Sequence, residues 1–136
     1  MEKVIICVDD EKALLSALQQ QLFREFSDTY LLEFAESGKE ALDLIQEFIS
    51  LDTEIACVIT DQMMPDLTGD RLARDLLDAQ GNIPIIMITG FAEKMSAEDS
   101  RKIGIREFLL KPVVMEDLGR TVRRVLDESR RSGCPP

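Results

Sequence analysis

Hydrophobic and polar positions alternate in two rhythms along this chain. Short, nearly unbroken apolar runs are separated by longer stretches in which apolar residues return every three or four positions. The runs are VIICV (Val4–Val8), YLLEFA (Tyr30–Ala35), IACVIT (Ile55–Thr60), IPIIMIT (Ile83–Thr89) and EFLL (Glu107–Leu110). The first, third and fourth are rich in Val and Ile and lack polar alternation, which predicts strands buried on both faces of a parallel sheet. Between them, Leu15, Leu18, Leu22 and Phe26 recur at helical spacing over Glu11–Phe26. Ser37 followed by Glu40 has the form of a capping box, opening a helix with Leu42, Ile45 and Ile49 inward. Leu72, Leu76 and Leu77 mark a third helix that stops near Gly81. Ser96–Lys102 is a weaker fourth. Met115–Arg130 is a fifth, with Leu118, Val122, Val125 and Leu126 on one side. Strand and helix alternate through the chain with short connections, which predicts an α/β fold with a parallel sheet and right-handed crossovers.

A length of 136 residues fits one domain, with 45% hydrophobic residues to build a core. No interdomain linker or repeat interrupts it. Residues 1–128 are expected to form the domain, and 129–136 a disordered tail or the start of a linker. No run of 18 apolar residues occurs, and MEKVIICVDD enters a strand-like segment without a signal-peptide pattern, so a soluble, cytoplasmic protein is expected. The net charge of −10 argues against a nucleic-acid-binding surface. The three cysteines, Cys7, Cys57 and Cys134, lack metal-ligand spacing; Cys7 and Cys57 fall in apolar runs and read as core. There is no histidine, so any histidine chemistry must come from another molecule.

Ligands of open α/β sheets bind beyond the carboxyl ends of the strands. Asp9, Asp10 and Glu11 follow the first run, Asp61 the third, Thr89 and Gly90 the fourth, and Lys111 and Pro112 the fifth. Each has an ordinary structural explanation alone. Asp-Asp-Glu complements a helix N-terminus, Asp61 caps a turn, Thr89 ends a strand, and Lys111 is a solvated charge. All of them falling at one sheet edge is a different matter. With strands one and three adjacent, ~4.8 Å apart, Asp9, Asp10 and Asp61 crowd together and raise one another's pKa unless a cation offsets them. Mg²⁺ suits such a site, because it takes oxygen ligands and keeps several waters. An acidic first loop also repels phosphate, unlike the Gly-rich loops of nucleotide binders.

The acid pair Asp9-Asp10 after VIICV, Asp61 in TDQMMPDLTG, Thr89 in MITG and Lys111-Pro112 in FLLKP together resemble the CheY-like receiver domain of two-component response regulators. The resemblance covers the chain from about Lys3 into the last helix. It implies a flavodoxin-like (βα)5 three-layer sandwich with strand order 2-1-3-4-5. It implies that Asp61 is the nucleophile that becomes an aspartyl phosphate, and that Mg²⁺ is held by Asp10, Asp61 and the backbone carbonyl of Met63, with Asp9 acting through water. Lys111 would contact the phosphoryl oxygens, the Thr89 hydroxyl would move to bond the same group, and the Lys111-Pro112 peptide would be cis. Phe108 stands where an aromatic residue follows that threonine, so Thr89 and Phe108 would switch the surface from the fourth helix through strand five to the fifth.

The implied partners are a sensor histidine kinase or phosphotransfer protein and a downstream effector protein or omitted output domain. A homodimer is compatible; nucleic acid and membrane are not expected. The chain would phosphorylate and dephosphorylate itself rather than carry a separate catalytic domain. It departs from the common pattern with Phe in place of Tyr at 108, Gly at 90 and the apolar Met63 two residues past Asp61. Two other readings use the same residue types: an interaction module on the same scaffold without phosphorylation, and an aspartate-nucleophile phosphohydrolase of the haloacid dehalogenase type. The latter puts its nucleophile after the first strand in a DxD pattern, where this chain reads Asp9-Asp10-Glu11-Lys12.

Overall fold

The computed structural model describes residues 2–90 and 102–132. Five parallel strands lie in the order β2-β1-β3-β4-β5, namely β1 Lys3–Val8, β2 Leu31–Ala35, β3 Glu54–Asp61, β4 Ile85–Thr89 and β5 Glu107–Leu110. Helices α1 (Lys12–Phe26), α2 (Gly38–Ser50), α3 (Gly69–Ala79) and a C-terminal helix (Met115–Ser132) cover the sheet. The fold class and strand order are those expected. The predicted helix at Ser96–Lys102 lies outside the described residues apart from Lys102.

Two apolar clusters, one on each face, account for the unbroken runs. Val4, Ile6 and Val8 pack with Ala41 and Ile45 of α2 and with Leu72, Ala73 and Leu76 of α3. Ile5 and Cys7 pack with Leu15, Leu18, Leu22 and Phe26 of α1 and with Leu118, Val122, Val125 and Leu126 of the C-terminal helix. Successive strand residues point to opposite faces, so a strand covered on both sides has no polar position to spare. The alternation slips once. Val4 pairs with Ile55 but Ile5 with Cys57, and Ala56 and Cys57 consequently enter the same cluster. An extra residue in one strand has this effect.

Helix ends follow the local signals. Ser37 Oγ accepts from Glu40 N at 3.1 Å, and Glu40 Oε1 accepts from Glu36 N at 2.9 Å. The reciprocal cap is therefore present, with the glutamate reaching one residue beyond the cap itself. β4 starts at Ile85 rather than Ile83 because Pro84 has no N–H to donate; its carbonyl accepts from Val58 N instead. The C-terminal helix is pinned through its arginines. Arg123 pairs with Glu25 at 3.6 Å and lies 4.9 Å from the centre of the Phe26 ring, and Arg124 pairs with Glu107 at 3.1 Å. Arg120 pairs with Asp117 one turn earlier. Among the described residues, no helix is long and apolar enough to cross a membrane.

Candidate functional site

The carboxyl edge of the sheet gathers every side chain that the strand-end reading singled out. β1 and β3 are neighbours with Val8 opposite Thr60, so Asp9 and Asp61 leave the sheet side by side. Asp61 stands opposite Ile88, one residue before Thr89, and Thr89 stands opposite Leu110, one residue before Lys111. The Lys111 amide donates to the Thr89 carbonyl at 2.8 Å, which extends the β4–β5 ladder to the lysine. The Lys111-Pro112 peptide is cis.

Asp61 is 2% exposed, and Asp9 is fully buried. The Lys111 ammonium lies 3.2 Å from each oxygen of the Asp61 carboxylate. This is a partly buried, charge-assisted pair, and it compensates for taking the Asp61 charge out of water. Carboxylate oxygens of Asp9, Asp10 and Asp61 lie within 4.8 Å of one another, with Asp10 on the solvent side. Asp9 Oδ1 accepts from the Glu11 amide at 2.8 Å, while Asp9 Oδ2 is buried with no hydrogen-bond partner among the described residues. Burial is the main cause that lifts the Asp9 carboxyl to about 6; Asp61 and Asp10 add to it, and the Glu11 amide and Lys111 oppose it. An orphaned buried carboxylate oxygen amid two further acids is a donor set that fits a hard divalent cation.

The supports of Asp61 come from three elements. Thr60 Oγ1 donates to the Asp61 carbonyl at 3.0 Å. Gly69 packs against the same carbonyl so closely that a Cβ there would overlap it and press on Met87 Sδ, 2.9 Å away. Close approach, rather than a left-handed backbone, is what requires glycine at 69. The Gln62 amide donates to the Ile88 carbonyl at 3.0 Å, carrying β3 one residue past the acid.

Thr89 is buried, and its hydroxyl donates to the Gly90 carbonyl at 3.3 Å. Phe108 is half-buried against the cluster on the α2–α3 face. The Met63 side chain is exposed. Cys7 and Cys57 are buried, free and held as thiols: burial pushes both upward, Cys57 to about 12. They take no part in the site.

Three polar residues around the loop after Asp61 escaped the sequence reading. Gln62 Nε2 donates to Asp70 Oδ1 at 3.2 Å, and Gln62 Oε1 accepts from Asp70 N at 2.9 Å. Asp66 Oδ1 and Oδ2 accept from Gly38 N at 3.2 Å and Lys39 N at 2.9 Å. The Gln62–Asp70 pair had a local signal, an acid in the first turn of a helix. The Asp66 contact spans 28 residues or so of chain and had none.

Residues 5–123 match the family model described as the response regulator receiver domain. Response regulator MprA of Mycolicibacterium vanbaalenii is 34% identical over 125 residues, which take in 90% of this chain and 49% of that protein. Sensor kinase CckA of Brucella abortus is 31% identical over 128 residues, 91% of this chain and 12% of that protein. The crystal structure of a response regulator receiver domain protein from Clostridium thermocellum superposes with a TM-score of 0.82 at 26% identity, covering 96% of this chain and 98% of that one. The chain thus spans about half the length of the response regulator it matches and a small part of the kinase.

Proposed function

Since the chain belongs to the response regulator receiver domain family, we propose that Asp61 is its phosphoacceptor and that it relays a phosphoryl group from a histidine of a partner kinase or phosphotransfer protein. The observation that supports this most directly is the buried Asp61 carboxylate with the Lys111 ammonium 3.2 Å from both of its oxygens, beside two further acids.

An Asp61 oxygen attacks phosphorus. The P–N bond of the donor phosphohistidine breaks, and its electron pair leaves on the imidazole, which takes a proton. Asp61 then carries a mixed anhydride. Lys111 holds Asp61 in place beforehand and faces the phosphoryl oxygens afterwards. Phosphoryl transfer relies mainly on such positioning and charge stabilisation. Asp10, Asp61 and the Met63 carbonyl would hold Mg²⁺, with Asp9 acting through water; the ion would supply positive charge against the phosphoryl oxygens. The Thr89 hydroxyl, at the end of the neighbouring strand β4, would exchange its 3.3 Å bond to the Gly90 carbonyl for a phosphoryl oxygen. Phe108, half-buried on the next strand, takes up the space that Thr89 vacates, which re-forms the surface of β5 and the C-terminal helix. That surface addresses an effector protein or an output domain.

An interaction module without this chemistry has no use for a buried charge pair, whose desolvation is costly. The test is incubation with a panel of phosphorylated histidine kinases, comparing the wild type with Asp61→Asn and Lys111→Ala. Label on the wild type alone is expected. Label retained by Asp61→Asn would reject Asp61 as the acceptor.

A further inference from the structure

The loop between Asp61 and α3 is fastened at two places. At its base, Gln62 makes three bonds to the start of α3: its carbonyl accepts from Gly69 N at 2.8 Å, and its side chain exchanges two bonds with Asp70. At its tip, the Asp66 carboxylate takes the first two free amides of α2, Gly38 N and Lys39 N. Ser37 Oγ takes the third, Glu40 N. The opening turn of α2 is therefore satisfied by two residues of different origin, one its own cap and the other borrowed from the neighbouring loop. Leu67 reinforces the seat, since its side chain fills the space a Cβ on Gly38 would need, with atoms 2.7 and 2.9 Å away. Met63 lies between the two fastenings, and the proposed function gives its carbonyl to the cation.

We propose that Asp66 is a positioning residue for cation binding: by tethering the loop tip to α2, it holds the Met63 carbonyl beside the acids without touching the ion. The inference rests on the proposed function, because it presumes a cation at Asp10 and Asp61. The physical basis is preorganisation. A loop that samples other conformations lowers apparent affinity by the fraction of time it spends out of place, and groups behind the ligands set a metal site's affinity. The amides of Gly38 and Lys39 hold the Asp66 carboxyl below the usual carboxylate range, so it stays an acceptor at neutral pH.

Mg²⁺ titration by calorimetry on the full chain tests this with Asp66→Ala, Asp66→Asn and Ser37→Ala, thermal unfolding being recorded alongside. Asp66→Ala is expected to weaken Mg²⁺ binding about tenfold, the lower end of what lost support behind a metal ligand costs. Asp66→Asn keeps one of the two accepting oxygens but sets its amide nitrogen against the other backbone N–H, and should recover only part of the affinity. Ser37→Ala removes a cap from the same turn without freeing the loop; it should lower the unfolding temperature and leave Mg²⁺ affinity unchanged. Mg²⁺ binding by Asp66→Ala equal to that of the wild type would overturn the proposal, and so would a weakening that disappears at high salt, because the lost charge alone then accounts for it. So would a loss of affinity in Ser37→Ala matching that in Asp66→Ala. A wild type that takes up no Mg²⁺ at millimolar concentration would instead overturn the cation site itself.

Discussion

Burial lifts the Asp9 carboxyl to about 6, and the nearby Asp61 and Asp10 push in the same direction. A free aspartate titrates near 3.9, so the folded state binds this proton more tightly than the unfolded one. Protonated Asp9 is compatible with the fold below pH ~4, and that favourable contribution is lost as the pH rises through about 6. Above it, a cation-free protein carries a constant penalty of about 3 kcal/mol. Asp9→Asn removes the charge and keeps an oxygen for the Glu11 amide. It is therefore expected to stabilise the cation-free protein at pH 7 by about 1–2 kcal/mol and to do nothing at pH 4, as read by urea unfolding at the two pH values. An equal gain at both would show that packing, not ionisation, is responsible. Sequence showed that Asp9, Asp10 and Asp61 would crowd. It did not show which would be buried, because that depends on which way each side chain leaves its strand end.

At the scale of elements, β3 and α3 meet through the Gly69–Asp61 approach. Gly69→Ala places a Cβ against backbone rather than against a flexible side chain, so the helix must shift. A loss of about 1–3 kcal/mol follows from overpacking of this kind, and the displaced Asp61 should accept phosphoryl more slowly. Gly81→Ala is the matched control, since its Cβ would meet only the Leu77 carbonyl at 3.8 Å. Denaturant titration and phosphoryl-labelling rates of the two variants separate them. Equal stability would show that α3 yields without strain. The helices themselves were plain in the sequence. Leu15, Leu18, Leu22 and Phe26 are all buried, as their spacing predicts. On α2 the signal was blunter. Ile45 is buried as predicted, but Ala41 is buried too, and Leu42 and Ile49 are only half-covered. A small residue in the centre of a face contributes little to a hydrophobic pattern yet permits the closest packing.

Across the whole molecule, the three clustered acids would couple stability to any cation they hold. Mg²⁺ should raise the unfolding temperature at pH 7.5 and do so less at pH 5, where Asp9 takes up its proton and the site loses a charge. Differential scanning calorimetry with and without Mg²⁺ at both values checks this; an equal shift would dissociate Asp9 from the site. The sequence by itself determined the α/β class, both helix-covered faces of the sheet, and the strand-end positions of Asp9, Asp10, Asp61, Thr89 and Lys111, because periodicity and strand ends are local properties of the chain. Tertiary structure alone decided that Asp61 faces Lys111 at 3.2 Å, that Gly69 sits against the Asp61 backbone, and that Asp66 caps a helix begun 28 residues earlier. The Lys111 and Asp66 contacts join segments remote in sequence. No short-range pattern encodes them, since they exist only once the crossovers have brought β1, β3 and β5 to one edge.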